Sequence, residues 1–161
     1  MDDWTDFTRL VQREPPQEGF ITTFNLWTAL TNWKGSTPLP PPHKMSAIQL
    51  FMYLMNAAPK GLKIIVTPPS DIQETRITSE ARLLYGLMKK VTFKIHRHNH
   101  AKLIALDYGD NKWRIWNSSR NFHGTCTEIL HEITTEVVHQ EEIKKCKRLI
   151  KILMKESEPL P

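Results

Sequence analysis

The sequence predicts an α/β fold in which a mixed β-sheet is sandwiched by helices. Three observations carry this expectation. Short β-branched and aromatic runs alternate with apolar stripes at helical spacing, a pattern that calls for strands joined by helical crossovers. Two of the runs lie close enough together to need a hairpin instead, so the sheet is mixed. The 161 residues, 40% hydrophobic and 24% charged, suit one core with little room for a second.

Residues 1–18 are polar and carry Pro15-Pro16, which predicts a short helix or arm and then a turn, ahead of a single domain over 19–161. Gly19 to Trp27 reads as a strand. Four prolines within 35–42 remove backbone donors and lock φ, so that stretch is a loop or a polyproline-like connection. Met45, Ile48, Met52 and Met55 then form a helical stripe that ends at Pro59-Lys60-Gly61. Leu62 to Thr67 is a strand stopped by Pro68-Pro69. A second stripe follows at Ala81, Leu84, Tyr85 and Met88, with Thr78 or Ser79 as its N-cap. Three strand-like runs come next, Val91 to His96, Ala101 to Asp107 and Lys112 to Asn117. The last two are joined by the turn residues Tyr108-Gly109-Asp110-Asn111. Glu132 to Val138 is another β-branched run. Gln140 to Lys155 closes the chain as an amphipathic helix with Ile143, Cys146, Ile150 and Leu153 inward.

The formal charge of +5 and a pI near 9.3 favour a polyanionic partner. Between Lys89 and Lys102 the chain carries five lysines and arginines, three interleaved histidines (His96, His98, His100) and no acid. A second basic cluster from Lys144 to Lys155 reads as a solvated helix face. Cys126 and Cys146 are too few for a disulfide framework and are expected as thiols. With no cysteine or carboxylate cluster beside them, the three histidines are not read as a metal ladder. No signal-like or membrane-length apolar run is apparent, so a cytoplasmic protein away from membranes is expected.

The chemistry is concentrated in two places. His100 and Lys102, two apart on an expected strand, share a face that suits a phosphate. Ser119 and Asn121 follow at the end of the hairpin partner. His100-x-Lys102, four residues, then Asp107, with Ser119-x-Asn121 downstream, resembles the HKD motif of the phospholipase D superfamily. The order of elements from Gly19 to the closing helix is similar to that of its compact endonucleases, which carry one motif per chain and dimerise. That group has a glutamate eleven residues beyond the motif asparagine, where this chain has Glu132. The likeness covers roughly residues 19–155. It departs in two respects: Ser118 stands where the family has glycine, and the gap after Asp107 is longer by a few residues.

The resemblance implies a phospholipase D-like fold and a nuclease that hydrolyses DNA, or RNA, without a metal or other cofactor. His100 would be the nucleophile, and a second copy of the chain would supply the acid and base histidine. Lys102 and Asn121 would hold the phosphate oxygens, Ser119 would support them, and Glu132 would orient His100. Asp107 would tie down the motif loop or the interface. Arg97, His98 and Arg120 are the expected substrate contacts beside the motif. Trp113 and Trp116 are expected in the core, as is Trp27, while Trp33 adjoins the proline loop. The alternatives are a lipid phosphodiesterase and a nucleic-acid-binding protein that keeps the fold without turnover.

Overall fold

A computed structural model describes residues 4–26, 47–85, 89–118 and 135–160. Among these lie four helices, α1 (Trp4–Arg13), α2 (Ala47–Ala57), α3 (Asp71–Tyr85) and α4 (Gln140–Glu156). The strands are β1 (Glu18–Thr23), β2 (Leu62–Val66), β3 (Val91–Ile95), β4 (Leu103–Asp107), β5 (Trp113–Asn117), β6 (Thr135–Glu136) and β7 (Glu158–Pro159). All seven join one sheet in the order β6-β5-β4-β1-β2-β3-β7.

β1, β2 and β3 run parallel, and β4 returns antiparallel beside β1. Parallel neighbours need crossovers, which α2 and α3 supply, whereas β4 and β5 pair antiparallel through the expected hairpin. Asp110 and Asn111 both have positive φ at the tip of that hairpin, as a tight turn between twisted strands requires. Lys112 N donates to Gly109 O across it at 2.9 Å.

Alternation along each strand divides the core. Ile21, Ile64, Phe93 and Ile104 face α1, α2 and α3, while Phe20, Ala105 and Ile115 face α4. The mixed sheet between helices follows the expected pattern. Trp113 and Trp116 are buried, as expected of core residues. Cys146 is a free thiol against α4's core, and burial pushes its ionisation up, which keeps it unreactive. Trp27, Trp33, Met45, Ile48, Met88 and Cys126, and the proline loop, lie outside the residues whose side chains are described.

Several elements differ from expectation for identifiable reasons. The short helix expected within the first eighteen residues is present, but it is not set apart from the domain over 19–161, because Phe7, Leu10 and Val11 enter the main core. The buried face of α2 is centred on Phe51 and Leu54, with Met52 and Met55 only flanking it. Thr78 is buried inside α3 and caps nothing. Instead Ser70 Oγ accepts from Gln73 N at 3.3 Å and caps the helix eight residues before Thr78. β1 ends at Thr23, short of Trp27, and the short strand β7 was not anticipated. β4 begins at Leu103, so His100 and Lys102 precede the strand instead of lying on it.

Candidate functional site

The carboxyl ends of β1, β2 and β3 lie at one edge of the sheet, and the chain must cross that edge to pass from β3 to β4. The crossing is made by residues 96–102, His-Arg-His-Asn-His-Ala-Lys. β3 and β4 are three strand spacings apart, about 14 Å, which seven residues span easily. The result is a strap of five cationic or imidazole side chains laid across the ends of the central strands.

Buried hydroxyls hold the strap down. Thr22 Oγ1 donates to Ala101 O at 2.8 Å and accepts from Leu103 N at 3.2 Å. Thr67 Oγ1, at the end of β2, donates to His96 O. Asn99 is buried within the strap, where its Oδ1 accepts from Ala101 N and its Nδ2 donates to Ala101 O. A buried polar group without a partner costs about 1–3 kcal/mol, so these pairings fix the backbone path. Sequence reading missed Thr22, Thr67 and Asn99. The only available signal was their polarity at positions where a strand's core face or an apolar neighbour would be expected.

The two halves of the strap differ electrostatically. On the β3 side, Arg97 makes two bonds to Glu74 of α3, at 2.6 and 3.0 Å, and lies 3.8 Å from Glu158. That guanidinium holds the Glu74 carboxyl below its ordinary range. His96 Nε2 lies 3.7 Å from Glu156. These contacts pair Arg97 with acids while its side chain stays about half exposed. His98 stays on this half too, its N–H donating to His96 Nδ1 at 3.2 Å and its side chain lining a cavity with Glu156 and Glu158, whereas on the β4 side His100 and Lys102 make no ion pair among the described residues.

His100 is exposed, but its ring is not loose. It stacks on Phe24, just past the end of β1, with centroids 4.3 Å apart and planes at 19°. One face is thereby covered while the ring edge stays in solvent. Lys102 Nζ donates to the backbone carbonyl of His100 at 3.0 Å, which folds the lysine side chain back onto the strap. Ser118 N donates to Lys102 O at 2.8 Å, so the segment that continues to Ser119, Arg120 and Asn121 starts against the same point. Those three residues and Glu132 lie outside the described residues.

Asp107 sits at the other end of β4, about 16 Å from Lys102 along the strand. Its Oδ1 accepts from Gly109 N at 2.8 Å and shapes the hairpin. The structure therefore brings Lys102 to His100, keeps His98 with His96 on the β3 half of the strap, and leaves Asp107 apart from all of them. Among the described residues, no group of three or more histidine, cysteine or carboxylate side chains is placed to hold a metal ion.

No family model matches the chain, and no curated protein matches it. Among solved structures, the chain is similar to TrmBL2, an archaeal chromatin protein whose structure shows a novel mode of DNA binding. The TM-score is 0.50 at 11% identity, covering 96% of this chain and 49% of that one. The present chain thus spans about half the length of that protein. At this identity the likeness is one of fold. Among the described residues, no helix is long and apolar enough to cross a membrane.

Proposed function

We propose that the chain binds nucleic acid at the carboxyl edge of its sheet, and that His100 and Lys102 serve phosphodiester hydrolysis there on a phospholipase D-like fold. The observation that carries the binding reading is the strap, whose β4 half offers His100 and Lys102 with no acid paired to them among the described residues. Open α/β sheets commonly bind ligands outside the carboxyl ends of their strands. Similarity of fold to a protein whose structure shows DNA binding supports the same reading. DNA is the favoured polymer and RNA the next.

Hydrolysis is the finer part of the proposal, and it rests on the HKD resemblance together with the stacking of His100 on Phe24. An imidazole nitrogen of His100 attacks phosphorus as the bond to the leaving oxygen breaks. A histidine from a second copy of the chain gives that oxygen its proton. Water then attacks the phosphohistidine, loses a proton to the same second histidine, and frees His100. Lys102 offsets the charge that builds on the phosphoryl oxygens. A protein that binds without turnover is the alternative within this proposal.

The test uses labelled single- and double-stranded DNA and RNA with the native chain, His100→Ala and Lys102→Gln, in EDTA. Native protein is expected to bind and to cut, and His100→Ala to cut no longer. Lys102→Gln should weaken binding and make its salt dependence shallower by about one phosphate contact. Binding without cutting would leave the interface and remove the hydrolysis. No binding to any of the four polymers would remove both.

A further inference from the structure

α4 has an inner apolar face and an outer basic one, with Ile152 half exposed beside the latter. Ile143, Cys146, Ile150 and Leu153 pack on the sheet, and the opposite face carries Lys144, Arg148, Lys151 and Lys155. Spacings of four, three and four residues place these cations in one stripe, and all four are exposed. No acid interrupts residues 143–155, and the acids that flank the helix lie at its two ends. Glu141 pairs with Lys144 at 3.4 Å. Arg148, Lys151 and Lys155 make no ion pair among the described residues.

The stripe also has a direction. Near its start, Lys147 Nζ donates to Asn111 Oδ1 at 2.8 Å, at the hairpin end of the sheet. Near its finish, Lys94 Nζ donates to Met154 O at 2.9 Å, and Glu156 lies beside His96 of the strap. The helix thus carries its cations from the far end of the molecule to the edge where His98, His100 and Lys102 stand. Eleven residues of helix extend about 16 Å. Over that length each of the four cations can meet a backbone phosphate, up to about four contacts.

We propose that the outer face of α4 is a phosphate-backbone track that leads a nucleic acid duplex to the strap. This inference rests on the nucleic-acid reading above and adds a second surface to it. An anionic membrane is the competing partner for a basic helix, but such helices set an apolar face into the lipid, and α4's apolar side chains are committed to the core except for the single exposed Ile152. The partner that fits a purely cationic stripe is a regular row of phosphates.

The experiment compares three forms of the full chain for binding to a labelled DNA duplex across a range of salt. They are the native chain, the stripe variant (Lys144→Gln, Arg148→Gln, Lys151→Gln, Lys155→Gln), and a control variant that loses the same charge from the opposite sheet edge (Lys60→Gln, Lys89→Gln, Lys90→Gln, Lys112→Gln). Glutamine is a good helix former, and the changed side chains are exposed. Circular dichroism checks that the fold is kept, and the double variant Arg148→Gln with Lys151→Gln provides a milder form. The stripe variant is expected to flatten the slope of log affinity against log salt by about 3 to 4, the double variant by about half that, and the control by less than one. Equal effects of stripe and control would overturn the track and leave the strap reading intact. So would loss of binding to phosphatidylserine vesicles with duplex affinity unchanged. A native chain that binds no duplex would instead remove the nucleic-acid reading itself, and the track with it.

Discussion

At the scale of single residues, the strap separates groups that present themselves from groups that brace. His100 rests one ring face on Phe24 and Lys102 bonds to the carbonyl of His100, so the two are oriented without being neutralised. Arg97, equally basic on paper, is held by Glu74. Asp107 illustrates the bracing role, since its carboxylate holds the backbone of Gly109 far from His100. Asp107→Ala is therefore expected to lower stability by about 1 kcal/mol, the usual loss for one hydrogen bond, while nucleic-acid affinity stays at the native value. Urea denaturation and duplex titration of the same preparation check both halves. A loss of binding at native stability would place Asp107 in the site after all.

At the scale of elements, the helices divide the labour. α1 closes the core of the larger face, where Phe7 meets Trp116 edge to face at 5.4 Å and is fully buried. Phe7→Ala should cost about 3–5 kcal/mol, which for a chain of this size lowers Tm by on the order of 10 °C. A calorimetric scan that shows little change would return α1 to the status of a dispensable arm. α3 fixes the ends of the strap region instead. Its Arg76 donates to Leu26 O at 2.7 Å, and its Glu74 holds Arg97, so one helix braces both the exit from β1 and the exit from β3. α4 alone turns a continuous cationic face outward.

At the scale of the whole molecule, the position of the strap constrains how two copies could share a site. β6 and β7, the outermost strands, are two residues long each and offer little backbone for extending the sheet into a second copy. Under the proposed shared-site mechanism, a second histidine would arrive across the carboxyl edge, strap against strap. Sedimentation velocity of cleaving protein is expected to give a particle of about twice the chain's 18.8 kDa. Cleavage by a species that stays monomeric at the assay concentration would remove the shared-site mechanism.

Much of the architecture was legible in the chain because it depends on local rules. The two apolar periods announced strands and helices, the Gly109-Asp110-Asn111 turn announced the hairpin, and the inward residues of α4 followed from its spacing. His100 and Lys102 were legible too, from their chemistry and their separation. What local rules could not supply was anything that depends on crossing the sheet. Strand order, decided by which faces bury best together, is what lays residues 96–102 over the ends of β1 and β2. Tertiary contact alone sends Arg97 to Glu74 and seats His100 on Phe24. Sequence by itself determined which residues are chemically able to meet a phosphate. Only the packed sheet decided which of them stand free to do so, because burial and ion pairing are properties of neighbours that lie far apart along the chain.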